Sequence, residues 1–398
     1  MEIQTLCGDK IINMRVLFVY SSLGLEKCGN QYYHNFLGTI IKRYSFFGDL
    51  TVCTSCTEVA KSNRELVDMT GVRQITLVKE NTVKTMLDKS YNNRIIREEV
   101  PKCDLLISHQ PDGVAGRAAK MARRLGIPCL TVVIGCPWDA LWNYDWRGKI
   151  LAPYEYLKTK SAIAQTDYAI YVTEKFLQRR YPTTAPQIAC SDVITEDIPV
   201  EVCKNRQKVL LTKERSSPMK IITLAGIDVP FKGQKYIIEA IARLNRQGWN
   251  YHYYVAGAGT GEALMKKAQE LGVENYFHIL GTVSHDKIYD VMADMDIYAQ
   301  PSRLEGLPRA LVEAMSCGLP AIGTNVGGIP ELLQDDVLFG KGNVNDIVKV
   351  LAREPKEWAS KVEINYNRAK DFNQDVLNKR RYDFFEKIKN EIFNYNMN

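Results

Sequence analysis

Short apolar runs alternate along this chain with longer stretches whose apolar positions recur at helical spacing. That alternation predicts parallel α/β sheets. In the first half, strands are expected at 16–20, 49–53, 105–109, 129–134 and 168–172. A helix is expected over 115–126, closed by Gly126 and the Ile127-Pro128 pair, with the next strand starting at once. The stretch 203–219 is polar, basic and ends in Ser-Ser-Pro, so it reads as an interdomain linker. Beyond it the rhythm restarts, with strands at 220–224, 251–256, 278–280, 297–299 and 320–322. Helices are expected between them at 236–247, 262–271, 286–293 and 308–317. Tyr382, Phe384, Phe385, Ile388 and Ile392 then fall on one helical face. The expected division is an N-terminal domain over 1–202, the linker 203–219, a C-terminal domain over 220–378, and a last helix, 379–398, that can return to the first domain.

Composition narrows this picture without changing it. A chain of 398 residues exceeds what one core usually organises, so two domains are expected. The apolar content of 45% and charged content of 25% are those of a globular protein. A net charge of +6 suits anionic ligands or a membrane surface, but no basic stripe marks a nucleic-acid site. The run 16–20 is too short for a signal-peptide core, and no stretch approaches 18 apolar residues. The ten cysteines are scattered, and the close pair Cys53 and Cys56 has no second pair to complete a zinc site. Reduced thiols and a cytoplasmic location are expected, with peripheral contact at the inner face of the membrane left open.

The densest chemistry lies in PSRLEGLPRALVEAMSCGLPAIGTNVGGIPELL, residues 301–333. Pro308 suits the first helical position, where its missing N–H would be orphaned anyway. The N–H groups of Arg309, Ala310 and Leu311 would then face out of the helix start, toward an anion such as a diphosphate. Glu305 precedes the helix and Glu313 lies within it, so one carboxylate sits beyond the tip and the other alongside. Carboxylates accept hydrogen bonds from vicinal hydroxyls, which a sugar and a ribose both offer. Taken alone, Arg309 and Glu313 could equally form a surface ion pair, with Glu305 a solvated loop acid.

The segment closely resembles the donor-binding E-x7-E signature of retaining glycosyltransferases of the GT-B fold, family 4 (group 1 type). It runs on into a Gly-Gly-x-Pro-Glu turn (Gly327, Gly328, Pro330, Glu331) common in that family. Upstream, LAGIDVPFKG resembles the family's strand–loop element, and VAGAGTGEALMKKAQELGV and HILGTVSHDKIYDVMADMDIYAQPS resemble the next two blocks in order and spacing. The resemblance is specific over roughly 218–335 and weak in the first half. It implies two Rossmann-like domains whose parallel sheets face a cleft. It also implies transfer of a sugar, with retention, from a nucleoside diphosphate sugar (UDP first among the bases) to an acceptor hydroxyl. Carried over, Lys232 looks like the lysine that neutralises the donor diphosphate, and Glu313 like the ribose carboxylate. Glu305 looks like the catalytic group facing the transferred sugar, with the backbone of Gly306 and Leu307. Gly226, Ala310 and Val283 would contact the donor, Val283 through the base-holding loop 281–284.

Three departures qualify this. Ile227 stands where the family often has an arginine, and Arg309 is the candidate replacement. The histidine many members carry before a glycine is absent from Val133-Ile134-Gly135; His109 is either its substitute or a packed residue. The N-terminal glycine loop is irregular, with Gly29 the candidate for the donor side.

Two further patterns compete for a role. Gly257-Ala258-Gly259-Thr260-Gly261 is one residue short of a dinucleotide fingerprint. Asp294-Met295-Asp296 has the form of a metal-binding DxD, but its setting at a helix end suits chain turning. No cofactor and no metal are expected. The acceptor, a glycan or polyprenyl-diphosphate-linked molecule, is assigned to the first domain at the aromatic stretch 138–146, with Trp138 and Asp139 as candidate contacts. Arg117, Lys120, Arg123 and Arg124 are either a diphosphate-lipid surface or a solvated helix face. A surface-polysaccharide role follows. A sugar-nucleotide epimerase and a non-catalytic carbohydrate-binding scaffold remain alternatives.

Overall fold

The computed structural model describes residues 13–80, 85, 88–195 and 197–397. Its first half holds strands β1 (Met14–Val19), β2 (Leu25–Cys28), β3 (Gln31–Tyr33), β4 (Gly48–Glu58), β5 (Leu66–Val67), β6 (Arg73–Leu77), β7 (Leu105–Gln110), β8 (Cys129–Val133), β9 (Tyr168–Tyr171) and β10 (Gln187–Ala189). Helices α1 (Leu37–Tyr44), α2 (Ser90–Glu99), α3 (Gly113–Arg124), α4 (Pro137–Trp142), α5 (Trp146–Ala164), α6 (Phe176–Arg180) and α7 (Val200–Thr212) connect them. The main sheet runs β10-β9-β8-β7-β1-β4, all parallel, with β6 also pairing β4 and a small β2-β3-β5 extension. Buried runs such as Leu105, Leu106 and Ile107 explain the parallel arrangement, because both faces of such a sheet are covered.

The second half holds β11 (Met219–Leu224), β12 (Tyr251–Ala256), β13 (Phe277–Gly281), β14 (Ile297–Gln300), β15 (Ala321–Thr324) and β16 (Leu338–Phe339). They form one parallel sheet in the order β13-β12-β11-β14-β15-β16. Its helices are α8 (Gln234–Asn245), α9 (Glu262–Leu271), α10 (His285–Ala293), α11 (Arg309–Ser316), α12 (Val344–Leu351), α13 (Pro355–Ala369) and α14 (Gln374–Met397). The strand order reverses between β11 and β14, and a crevice opens outside the carboxyl ends of strands at such a reversal. The first sheet has its own reversal between β1 and β7.

One expectation needs correction. The stretch read as a polar linker is largely helix α7, which buries Cys203, Arg206 and Leu210. The Arg206 guanidinium donates to the carbonyls of Met292 (3.0 Å), Cys317 (3.3 Å) and Met295. Those carbonyls end α10 and α11, so a cation is the fitting cap. The aromatic stretch 138–146, for which the sequence pattern gives no element, is α4, a short turn and the start of the 19-residue α5. The last helix, α14, crosses to the first domain. Phe385 packs on Tyr44, Phe46 and Phe47, Glu391 accepts from the Tyr168 hydroxyl (2.8 Å), and Arg380 and Arg381 donate to Ala189 and Ser191 carbonyls.

Candidate active site

The loops after β11 and β14 are held together backbone against backbone. Gly233 takes the left-handed conformation (φ 77°), and any Cβ there would run into the Pro301 carbonyl. Arg303 N–H donates to the Phe231 carbonyl at 2.7 Å. The consequence is the contact on which the site is built. The Lys232 ammonium lies 2.6 Å from Glu305 Oε1, although 73 residues separate them, and both side chains are largely buried.

Glu305 is fixed from below as well. The fully buried Tyr298 hydroxyl donates to Gln300 Oε1 (2.8 Å), while Gln300 Nε2 donates to Glu305 Oε1 (3.0 Å) and Ser302 Oγ (2.9 Å). Burial, then the charges of Glu313 and Glu305, push the Tyr298 phenol far above its ordinary range. It therefore stays a neutral donor. The same influence places both carboxylates within electrostatic reach of this hydroxyl. Glu313 itself is buried on α11. Pro308 proves to be the capping residue, one position before the helix, and no side chain caps the helix start. Its first N–H groups thus remain for an anion.

The remaining donor candidates fall into place unevenly. Gly226 sits in the β11 loop, its carbonyl accepting from buried Gln234 (3.0 Å). Gly306 lies so close to the first domain that a Cβ would come within 2.5 Å of the Ile134 carbonyl. Leu307 packs into a first-domain cluster with Val133, Tyr171 and Val172. Ala310 is half-buried on α11, and Val283 packs on the core from the loop after β13. Ile227 is buried among Gly261 and Ile279, so no cation stands at that position. Arg309 is exposed and reaches across to lie over the Phe36 ring, 5.3 Å from its centroid.

Gly29 occupies an exposed hairpin tip between β2 and β3 (φ 59°), with open space around it. The loop that follows β1 directly instead carries Ser21 and Ser22, which donate to Asp112 at 2.7 and 2.9 Å. His109 is buried rather than facing the cleft: it shares a 2.9 Å hydrogen bond with Tyr44 and packs on Phe18 and Tyr20. Burial holds its pKa down to about 4. Trp138 stacks on Trp142, and Asp139 pairs with Arg180 at 3.1 Å. The charge of Asp139 is also felt by Lys341 in the second domain.

Both competing patterns are occupied by the fold itself. Asp228 fills the glycine turn, accepting from Thr260 N–H (2.7 Å) and Gly261 N–H (2.9 Å), and these bonds hold its carboxyl below the usual range. Asp294 pairs with Lys220 (2.6 Å) and Asp296 with Lys213 (2.5 Å).

Sequence reasoning missed Gln300, Gln234 and Asp112, and gave Glu331 no role. The Glu331 carboxylate accepts from the N–H groups of Glu174 (2.5 Å), Lys175 (3.1 Å) and Phe176 (2.5 Å), where α6 begins in the first domain. Arg368 binds both the Glu331 carbonyl (2.9 Å) and the Glu174 carboxylate (3.0 Å). Gly327 and Gly328 press on the Glu305 and Gly306 backbone, so this clasp is continuous with the site. The visible signal was an acid beside a Gly-Gly-x-Pro turn, whose partner lies 157 residues away.

Two facing Rossmann-like domains with a part-buried Lys–Glu pair at the second domain's strand reversal have the form of the GT-B fold. Residues 208–370 match the family model described as glycosyl transferases group 1. Protein CapJ of Staphylococcus aureus is 27% identical over 85% of this chain and 86% of its own length. The amylovoran biosynthesis glycosyltransferase AmsK of Erwinia amylovora is 30% identical over 43% of this chain and 45% of its own. Among solved structures, sucrose-phosphate synthase from Thermosynechococcus elongatus superposes with a TM-score of 0.69 at 13% identity, covering 94% of this chain and 99% of that one. Anabaena HepE in complex with UDP and glucose gives 0.64 at 18% identity, covering 94% and 99%.

Proposed function

We propose that the protein transfers a sugar from a nucleoside diphosphate sugar, UDP-linked, to a hydroxyl of a glycan or polyprenyl-diphosphate-linked acceptor in surface polysaccharide synthesis at the cytoplasmic face of the membrane. The observation that carries this reading is the Lys232–Glu305 pair set in front of the uncapped start of α11, with Glu313 farther along the same helix. A diphosphate fits the ammonium and the helix N–H groups, a ribose fits the carboxylate alongside, and a hexose fits the carboxylate beyond the tip. The relatives support the setting: AmsK is named for amylovoran biosynthesis, and the HepE structure holds UDP and glucose.

In the proposed reaction the bond from the anomeric carbon to the diphosphate oxygen breaks. The acceptor oxygen attacks from the same face, which retains configuration, and its proton passes to the departing diphosphate. Lys232 and the helix amides stabilise the charge that develops on the leaving group, while Glu305 orients the sugar. Lys232 must exchange its carboxylate partner for phosphate, so the donor replaces an existing ion pair rather than entering an unpaired site. No metal takes part, since Lys232 and amides supply the positive charge.

The test is a transfer assay with UDP-sugars and a lipid-diphosphate acceptor in EDTA, with the product's anomeric configuration read by NMR. Retained configuration and an undiminished rate support the mechanism. Loss of transfer restored by manganese, or an inverted product, contradicts it. Conversion of the donor without acceptor would favour an epimerase.

A further inference from the structure

Helix α5 leaves one long apolar stripe uncovered. Trp146, Ile150, Tyr154 and Leu157 recur at helical spacing, and each is 63–67% exposed. The opposite face, Gly148, Ala152, Thr159 and Ile163, is buried against the domain. Exposed Trp142 and Tyr144 extend the apolar surface beyond the helix start. Scattered exposed apolar residues are ordinary, but an aligned stripe of this length marks a contact surface.

Charge decides what it contacts. At 100° per residue, Lys149 and Lys160 fall on one flank of the stripe and Arg147 and Lys158 on the other. Each lies 5.5–5.9 Å from an aromatic ring centroid: Arg147 over Trp146, Lys149 over Trp142, Lys158 over Tyr154 and Lys160 over Tyr156. From Asp145 to Lys160 the chain holds those four cations against two acids, Asp145 and Glu155. Asp145 is spent capping the helix, accepting from Gly148 N–H at 2.7 Å. A second copy of the chain on this stripe would set cations against cations, whereas an anionic headgroup layer matches them.

A groove of about 830 Å³ runs between α3 and α5 beside the stripe. Leu151 and Tyr154 line one wall, Lys120 and Arg123 the other, and Ser22 and Gln110 stand at the end nearest the cleft. No helix among the described residues is long and apolar enough to cross a membrane.

We propose that α5 lies flat in the headgroup region of an anionic bilayer, with the α3/α5 groove at headgroup depth so that an amphiphile's anionic head leads toward the cleft. The use of that groove for the acceptor rests on the function proposed above; the bilayer contact stands on the stripe and its flanking cations.

The experiment is co-sedimentation of the full chain with vesicles of phosphatidylglycerol and phosphatidylcholine in equal parts, and with phosphatidylcholine alone. Binding should be at least about tenfold stronger to the mixed vesicles and fall with added salt. The triple variant Trp146→Ser, Ile150→Ser, Leu157→Ser should lose at least about tenfold, as should Lys149→Glu with Lys160→Glu. UDP titration of each variant reports folding and tests the donor site separately. A wild-type chain that ignores mixed vesicles overturns the proposal, whether or not it binds UDP. So does a wild-type dimer that the triple variant turns into monomer without any change in vesicle binding. Vesicle binding without UDP binding would leave the bilayer contact standing and refute the donor reading instead.

Discussion

On the C-terminal wall of the cleft, Tyr298, Gln300, Glu305 and Lys232 form one continuous hydrogen-bonded chain rising from the sheet. On the N-terminal wall, the strand ends carry a network turned onto the fold itself: Ser21 and Ser22 donate to Asp112, whose carboxylate also caps α3, beside a buried histidine, stacked tryptophans and an Asp139–Arg180 pair. The two sheets share a topology of strand reversal, so topology does not explain the contrast. Fixed polar groups suit a ligand part that never changes, which a nucleoside diphosphate is. An apolar, basic wall with an adjacent groove suits an acceptor that is large and partly lipid. The sharper the geometry, the greater the cost of disturbing it.

The largest effect should follow Glu305→Ala. Misorienting the reacting sugar should lower kcat about a hundredfold or more, while UDP affinity does not fall, since Lys232 loses a competing partner. Steady-state kinetics beside a thermal melt checks this, and a variant that turns over normally would break the contrast at its centre. Lys232→Ala comes next. Loss of a charge-assisted contact of about 1.5–3 kcal/mol should weaken UDP binding roughly ten- to hundredfold, with uridine binding little altered. Equal losses for UDP and uridine would remove Lys232 from the diphosphate.

Gln300→Leu should act through Glu305. It removes the 3.0 Å donor under the carboxylate, so kcat should fall about tenfold with UDP affinity unchanged. A parallel loss of UDP affinity would mean the whole loop had collapsed. The smallest effect at neutral pH belongs to the opposite wall. His109→Asn, which keeps a partner for Tyr44, should leave transfer within about twofold at pH 7. The histidine is neutral in the fold, with its pKa held to about 4 by burial, but protonates below about 6.5 once unfolded. Its contribution is therefore complete above about pH 6.5 and lost as pH falls toward about 4. Denaturant midpoints across that window should decline less steeply in the variant.

Much of the C-terminal domain was legible because its signals are local. The strand 251–256 and helix 262–271 coincide with the observed bounds, since periodicity and glycine punctuation lie within each segment. Glu305 and Glu313 stood out as candidates because one loop and one helix carry both, and Lys232 through the family resemblance; the structure brings Lys232 and Glu305 together. Gln300 and Glu331 were not: a lone glutamine in a strand has no pattern even with its partners two to five residues away, and the partners of Glu331 lie more than 150 residues off. Helix α5 was not expected: Gly148 and Pro153 weaken a helical pattern, and an exposed apolar face erased the usual polar–apolar contrast. The polar composition of 203–219 concealed α7, whose Arg206 is buried as a cap rather than solvated. His109 and Gly29 show the limit of placing residues by strand position alone. A strand end can turn inward, and a glycine can serve only its own hairpin.

The central claim is that one loop and one helix divide the donor between them, the sugar at Glu305 and the ribose at Glu313. Calorimetric titration of UDP into Glu313→Ala and Glu305→Ala, both melting near wild type, tests it directly. The account predicts a loss of roughly ten- to hundredfold in affinity for Glu313→Ala, from about 1.5–3 kcal/mol of hydrogen bonding to a charged acceptor. It predicts no loss of affinity for Glu305→Ala, which frees Lys232 for the phosphate. Wild-type affinity in Glu313→Ala, or the same large loss in both, would contradict it.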